Sequence, residues 1–413
     1  MPISTMKKTT DERGDLWRDI FTALGLSTGA AVALGLSRFA YGLLLPPMQA
    51  DLQWTYVEAG ALNTANGAGY IFGALVAAWL ARRWGTARAF LAGFSVSVLV
   101  LLLTAMTASL SALILLRTVG GVSTAITFIL GAGLVSAICP LENPRRRGAL
   151  VGVYVAGVSI GVILAGAALP IILQGGVQRW PEGWIVLGLL GAAGLPAAWL
   201  AARRVHQPAG GTMALLSTRE CRRIAPTLIG YGVFGAGYVG YMTFIMALLR
   251  EQGGSSEQMI WFWFTLGLVS AVTNLLWGRV LGAFSDGRGP ALVFATAMLG
   301  TLPVLLYPGP VAMLLSAILF GGSFMAGPTS ITIVAQRQLS PASWTAAISL
   351  LTVGFAFGQT IGPILAGAIS DMTGSIEAGF WVSPLLLAIA ACVNLLQRPP
   401  VPAESPALAG KSS

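Results

Sequence analysis

The sequence is poor in charge, in histidine and in cysteine. Only 9% of its 413 residues are Asp, Glu, Lys or Arg, against roughly 25% in soluble domains. A water-soluble fold of this length would leave large apolar areas bare, which soluble monomers avoid. The single histidine, His206, excludes a multi-histidine metal site and leaves a Ser-His-Asp triad little support. The three cysteines, Cys139, Cys221 and Cys392, are odd in number and far apart, so they offer neither a disulfide framework nor a metal-ligand spacing. No cofactor is implied.

What is abundant is apolar: 55% of the residues are hydrophobic, and the mean hydropathy is +0.78. A bilayer core of about 30 Å takes roughly 20 apolar residues per helix. Runs of that kind fall near 20–48, 56–81, 87–107, 110–139, 149–173, 183–202, 225–249, 257–284, 290–307, 310–336, 342–370 and 379–397. The pattern predicts an all-α membrane protein with twelve transmembrane helices. Residues 1–19 are charged and read as a solvated tail; the apolar run behind them is too long for a signal-peptide core.

The net charge of +9 invites a nucleic-acid partner. The cations instead lie in short clusters between apolar runs, as membrane loops carry them. An even number of spans puts both chain ends on one side. Twenty of the 24 Lys and Arg fall on that side, and Arg179 and Arg250 alone fall on the other. The positive-inside rule makes the first side the cytoplasm. Residues 203–224, with Pro208, Gly210, Gly211 and five arginines, form a linker at the midpoint. The chain then divides into a tail (1–19), a six-helix half (20–202), the linker, a second half (225–398) and a tail (399–413).

The halves look like repeats. Gly157, Gly161, Ala165 and Gly166 recur 201 residues on as Gly358, Gly362, Ala366 and Gly367, and Gly120-Gly121 recur as Gly321-Gly322 at the same offset. Gly85 after the second run matches Gly289 after the eighth.

With these features the chain resembles the major facilitator superfamily over its whole length. Gly282-Ala-Phe-Ser-Asp286-Gly-Arg-Gly289 is similar to the family's Gly-x-x-x-Asp-x-x-Gly loop signature, and the first-half copy keeps Arg83 and Gly85 but carries Arg82 where the aspartate stands. Arg117-Thr-Val-Gly-Gly121 resembles the fourth-span arginine motif. The fifth-span antiporter motif ends in proline; here Val162 stands there, and the proline appears in the second copy as Pro363. The first span, from Gly35 to Asp51, is similar to that of the YbfB/YjiJ-type branch. The resemblance implies two pseudo-symmetric six-helix halves, alternating access about a central site, a gating role for the loop at Asp286 and Arg288, and a monomer.

Arg38 stands inside the first span, where a charge costs roughly 2.5–3.5 kcal/mol on insertion scales. It either faces a wet cavity and reads a carboxylate or phosphate, or is a structural arginine satisfied by carbonyls or by Asp51. Arg117 divides the same way between cavity and helix packing. Asn63, Asn66 and Tyr70 share one face of the second span, and Tyr231, Tyr238 and Tyr241 one face of the seventh. Each set suits a cavity wall or a helix contact. Tyr41, Asn274 and Gln359 complete the solute-binding candidates, and Asp51 and Glu58, at outer ends of spans, are the candidates for coupling. Gly69-x-x-x-Gly73 and Gly358-x-x-x-Gly362 read as close-packing motifs.

Gly230-Tyr-Gly232-Val-Phe-Gly235 matches a dinucleotide fingerprint but lies inside an apolar run of membrane length, without the strand the fingerprint needs. The reading is a secondary transporter of a small organic solute, with an anion favoured by two in-span arginines and no carboxylate at mid-span. A coupling proton or counter-anion is the expected second partner. Efflux of amphipathic drugs is the alternative within transport; a membrane sensor or membrane-embedded enzyme is the alternative outside it.

Overall fold

A computed structural model describes residues 3–138, 144–205, 216–340 and 343–399, with the side chains of 3–15, 144–145, 147, 274–275 and 345 excepted. Cys139, His206, most of the second tail and the side chains of Arg145, Arg147 and Asn274 therefore lie outside the description.

Among the described residues, eleven helices are long and apolar enough to cross a bilayer: Leu16–Leu52, Tyr56–Trp84, Thr86–Thr104, Leu110–Ser136, Gly148–Leu173, Val177–Ala202, Ala225–Glu251, Arg288–Leu306, Pro310–Gln338, Ala346–Thr373 and Ile376–Leu395. The helix Ser256–Gly282, bent by 50° past Thr273, is the eighth span and makes twelve. With twelve spans, the start of the first and the end of the twelfth lie on one face, called here the terminal face; the other is the distal face. Large apolar side chains point outward from every part of the bundle, Leu75, Ile171, Leu189, Val311 and Leu385 among them, each more than half exposed. Such a surface needs lipid around it.

The repeated glycines do the same work in both halves. A Cβ on Gly157 or Gly161 would lie 2.3 Å from the Ser27 carbonyl oxygen or 2.5 Å from that of Ala31, so the fifth span packs directly on the first. On Gly358 or Gly362 it would lie 1.7 Å from the Gly232 oxygen or 2.1 Å from that of Ala236, so the eleventh span packs on the seventh in the same way. Without a hydrophobic force between helices in lipid, such backbone approach is what binds them. The second and eighth spans also begin alike, each with a capping box, Thr55 with Glu58 and Ser255 with Gln258.

Two local features depart from the expectation. The helix runs back to Ile3, and Asp19, assigned to a solvated tail, is 8% exposed and paired with Arg146 at 2.7 Å. A carboxylate at that depth is retained because a guanidinium neutralises it. The first span is also not uniform: Ala31–Phe39 is π-helical, with the Ala40 N–H bonded to the Gly35 oxygen at 3.1 Å, before α-helix resumes at Tyr41. Arg38 lies in the last turn of this wider segment, and such turns gather at functional positions.

Among the described residues, the hydrogen bonds joining the halves run from the distal rim to mid-span. They link Tyr56 and Val57 to Asp371, Asn63 to Thr243, Thr64 to the Thr360 oxygen, Arg38 to Gln359 and, on the other edge, Ser159 to Ser270. Toward the terminal face, a cleft of about 280 Å³ opens between the halves, lined by Ala149, Gly152 and Ala156 on one side and Ala271 and Met325 on the other.

Candidate functional site

Arg38 and Gln359 each stand near the middle of a span, the first and the eleventh, and both are buried. The guanidinium Nη2 donates to the Gln359 Oε1 across the boundary between the halves. The Arg38 Nε and the Gln359 Nε2 are buried without a hydrogen-bond partner. Arg38 also lies over the Tyr70 ring, 5.7 Å from its centroid, an arrangement that favours the cation. Among the described residues Arg38 forms no ion pair.

Arg117 occupies a different setting, inside the first half. Its Nη1 donates to the Ser37 carbonyl oxygen at 2.7 Å and its Nη2 to the Asn63 Oδ1 at 3.4 Å. The guanidinium lies beside two neighbouring rings, 4.6 Å from the Tyr41 centroid and 5.7 Å from that of Trp184. Tyr41 itself donates to the Ala59 oxygen at 2.7 Å. Arg117 thus braces the fourth span against the first, with only its Nε unpartnered.

Asn63 and Asn66 divide similarly. Asn63 donates to the Thr243 hydroxyl of the seventh span at 2.6 Å and so spans the two halves. Asn66 donates to the Arg117 carbonyl oxygen at 3.2 Å, and its Oδ1 has no partner. Tyr241 exchanges a hydrogen bond with Ser316 at 2.6 Å, which ties the seventh span to the tenth. Tyr238 meets Phe39 of the first span edge-on at 6.2 Å and belongs to a ring stack with Phe320 and Phe324. The structure therefore brings Arg38, Gln359, Asn63, Tyr238 and Tyr70 to the boundary between the halves. It sets Arg117, Asn66, Tyr41 and Tyr241 in the walls behind.

The candidates for gating and coupling lie away from this centre. Asp51 accepts from the Trp180 indole at 2.8 Å on the distal rim. Glu58 accepts from the Thr55 N–H at 2.9 Å, closing the cap of the second span. Arg83 is exposed on the terminal face, where Gly85, at φ +84, turns the chain into the third span. Asp286 is buried and accepts from the N–H and the Nε of Arg288, at 3.0 and 2.9 Å. The adjoining Gly287 N–H bonds to the Gln397 oxygen at 3.2 Å, so this loop rests on the end of the twelfth span.

Thr243, Trp184 and Asp371 were not marked by the sequence pattern. Thr243 lies two residues past Tyr241, and only the fold shows that it meets Asn63. Trp184 carries no sequence signal. Asp371, four residues past Gly367 of the repeat, could have been noticed as a third carboxylate at a span end.

A twelve-span bundle in two repeats, with polar groups of both halves meeting at mid-depth, is the architecture of the major facilitator superfamily. A family model described as "Uncharacterised MFS-type transporter YbfB" matches residues 30–395, and the chain belongs to that family. It is 28% identical to a chloramphenicol resistance protein of Streptomyces lividans over 399 residues, 92% of this chain and 96% of that one. In fold it is similar to a bacterial homologue of the human lysosomal transporter Spinster, in an inward-facing and occupied conformation (TM-score 0.71, 17% identity, 92% of this chain and 96% of that one). A D-xylose-proton symporter is similar too (TM-score 0.69, 15% identity, 91% of this chain and 96% of that one). The protein is a multi-pass membrane transporter rather than an enzyme.

Proposed function

We propose that this transporter moves a small organic anion by alternating access, with Arg38 and Gln359 as the contact point. One observation carries the reading. A buried guanidinium at mid-span has no carboxylate partner among the described residues, and it and the glutamine beside it each keep a donor unused. An unpaired charge is retained at such depth for a function, and a carboxylate entering between the two side chains would accept from both. Asn63, Tyr238 and Tyr70 wall the entrance. Arg117, fixed behind by Tyr41 and Trp184, adds positive potential, and Asn66, Tyr241 and Asn274 complete the set.

The excess of cations on the terminal face supports placing both chain ends in the cytoplasm of a bacterial inner membrane. We assign Asp51 and Glu58 to the outer rim of the gate, and Arg83, Gly85, Asp286 and Arg288 to its cytoplasmic side. Exchange of one anion for another then suits the site, because it needs no proton carrier in the path. The protein acts as a monomer.

Thermal unfolding of the purified protein with benzoate, succinate or the uncharged benzamide tests the reading. A carboxylate should raise the melting temperature of the parent and not of Arg38→Ala, and benzamide should raise neither. Equal shifts in both proteins would remove Arg38 from the site.

A second reading is favoured by the ring stack. Phe234 and Phe294 lie 4.2 Å apart, Tyr241 and Phe320 3.9 Å, and Tyr231 and Phe355 4.8 Å. Together with the name of the Streptomyces relative, this wall supports efflux of neutral aromatic compounds. Cells expressing the protein would then accumulate less chloramphenicol, and Arg38→Ala would not change that.

A further inference from the structure

At the distal rim, the carboxylate of Asp371 accepts from the N–H of Tyr56 on Oδ1 and from that of Val57 on Oδ2, each at 2.8 Å. These are the first two N–H groups of the second span. They have no acceptor within their own helix and sit at its positive end. The Glu58 N–H is taken by Thr55 at 3.2 Å, so Asp371 completes the cap from the opposite half of the molecule. The contact is close on both sides of it. A Cβ on Gly367 would lie 2.5 Å from the Tyr56 oxygen, and one on Gly60 2.6 Å from the Pro363 oxygen.

The other edge of the seam is built differently. The repeat offset that relates Gly358 to Gly157 relates Asp371 to Pro170, which has no carboxylate to offer. There a cleft of about 110 Å³ lies between the halves, lined by Pro46, Pro170, Arg250 and Ser256. Among the described residues, the distal seam is thus fastened by a carboxylate on one edge and not on the other.

We propose that Asp371 is the positioning residue that holds the distal gate shut. Its two bonds cross the boundary between rigid halves, so they are made when the distal face is closed and broken when it opens. The carboxylate therefore favours one arrangement of the transport cycle by what a charged, two-point cap gains over hydration of its parts. This sets the balance between arrangements whichever solute is carried.

Pulsed dipolar spectroscopy on the full chain in lipid nanodiscs tests it. Spin labels are placed through Met106→Cys and Tyr307→Cys, which are 79% and 76% exposed at distal turns of the two halves, with Cys139, Cys221 and Cys392 replaced. Asp371→Asn should raise the ratio of long to short distances by at least about tenfold, equivalent to about 1.4 kcal/mol. Tyr56→Pro should shift the ratio further than Tyr56→Ala. Both lose the ring, but proline at the first helical position removes only the N–H. Distances unchanged in Asp371→Asn, or Tyr56→Pro equal to Tyr56→Ala, would overturn the proposal. Should Asp371→Asn fail to fold, the Tyr56 pair decides alone.

Discussion

Arg38 of the first span donates to Gln359 of the eleventh, a buried bond near mid-span between side chains of the two halves. Separation of the halves must break it, and solute entering between them can replace it. A buried donor left without a partner costs about 1–3 kcal/mol, which is the ground for proposing that the solute meets this pair.

Truncation of Arg38 tests the donor. Arg38→Ala should weaken the best-bound carboxylate roughly 10- to 100-fold, the loss of one charge-assisted hydrogen bond. Arg38→Lys should keep part of the affinity, since it retains the charge but not the planar fork. Isothermal titration calorimetry of the three proteins gives the ranking.

Gln359→Glu tests the other side of the pair. It sets a carboxylate beside Arg38, supplying from within the protein the partner that a solute would bring. Carboxylate binding should fall at least as far as in Arg38→Ala, with the melting temperature unchanged or raised. Undiminished binding would mean the solute does not meet this pair.

The glycine contacts make a prediction about stability alone. Gly358→Ala and Gly157→Ala force a methyl group against the Gly232 and Ser27 backbone oxygens, whereas a Cβ on Gly282 meets nothing within 4 Å. The first two should cost about 1–3 kcal/mol each through overpacking, read as a lower melting temperature in detergent. Gly282→Ala should leave it unchanged, although Gly282 opens the loop signature.

The linker offers a test by pH. The Ser343 hydroxyl, then the N–H and hydroxyl of Ser217, hold the Glu220 carboxyl below its usual range. A lowered value means the bond to Ser343 contributes fully above the ordinary carboxylate value of about 4.3 and is lost as pH falls through the lowered one. A spin label on Cys221, in the same short helix Thr218–Arg223, should stay immobile at neutral pH and gain mobility below that range. Glu220→Gln should show part of that gain at pH 7.

Most of the architecture was legible because lipid imposes it. Apolar length fixed the spans to within a few residues at most ends, and the glycine repeat foretold that the first and fifth spans would pack as the seventh and eleventh do. What was not legible is tertiary. Nothing in sequence spacing tells that Arg38 meets Gln359 rather than water, or that Arg117 is clasped by Tyr41 and Trp184. Glu58 drew attention as a carboxylate, yet its spacing from Thr55 is that of a capping box and the structure uses it so. The role of Asp371 gives no signal in the sequence because its partners are backbone N–H groups of another helix, which no side-chain pattern marks.

The central claim, an organic anion moved past Arg38, is tested most directly by counterflow. Proteoliposomes loaded with the unlabelled carboxylate that gives the largest thermal shift are diluted into the same carboxylate carrying a radiolabel. The account predicts saturable accumulation of label with the parent protein and none above protein-free liposomes with Arg38→Ala. Equal accumulation by the two proteins would contradict it.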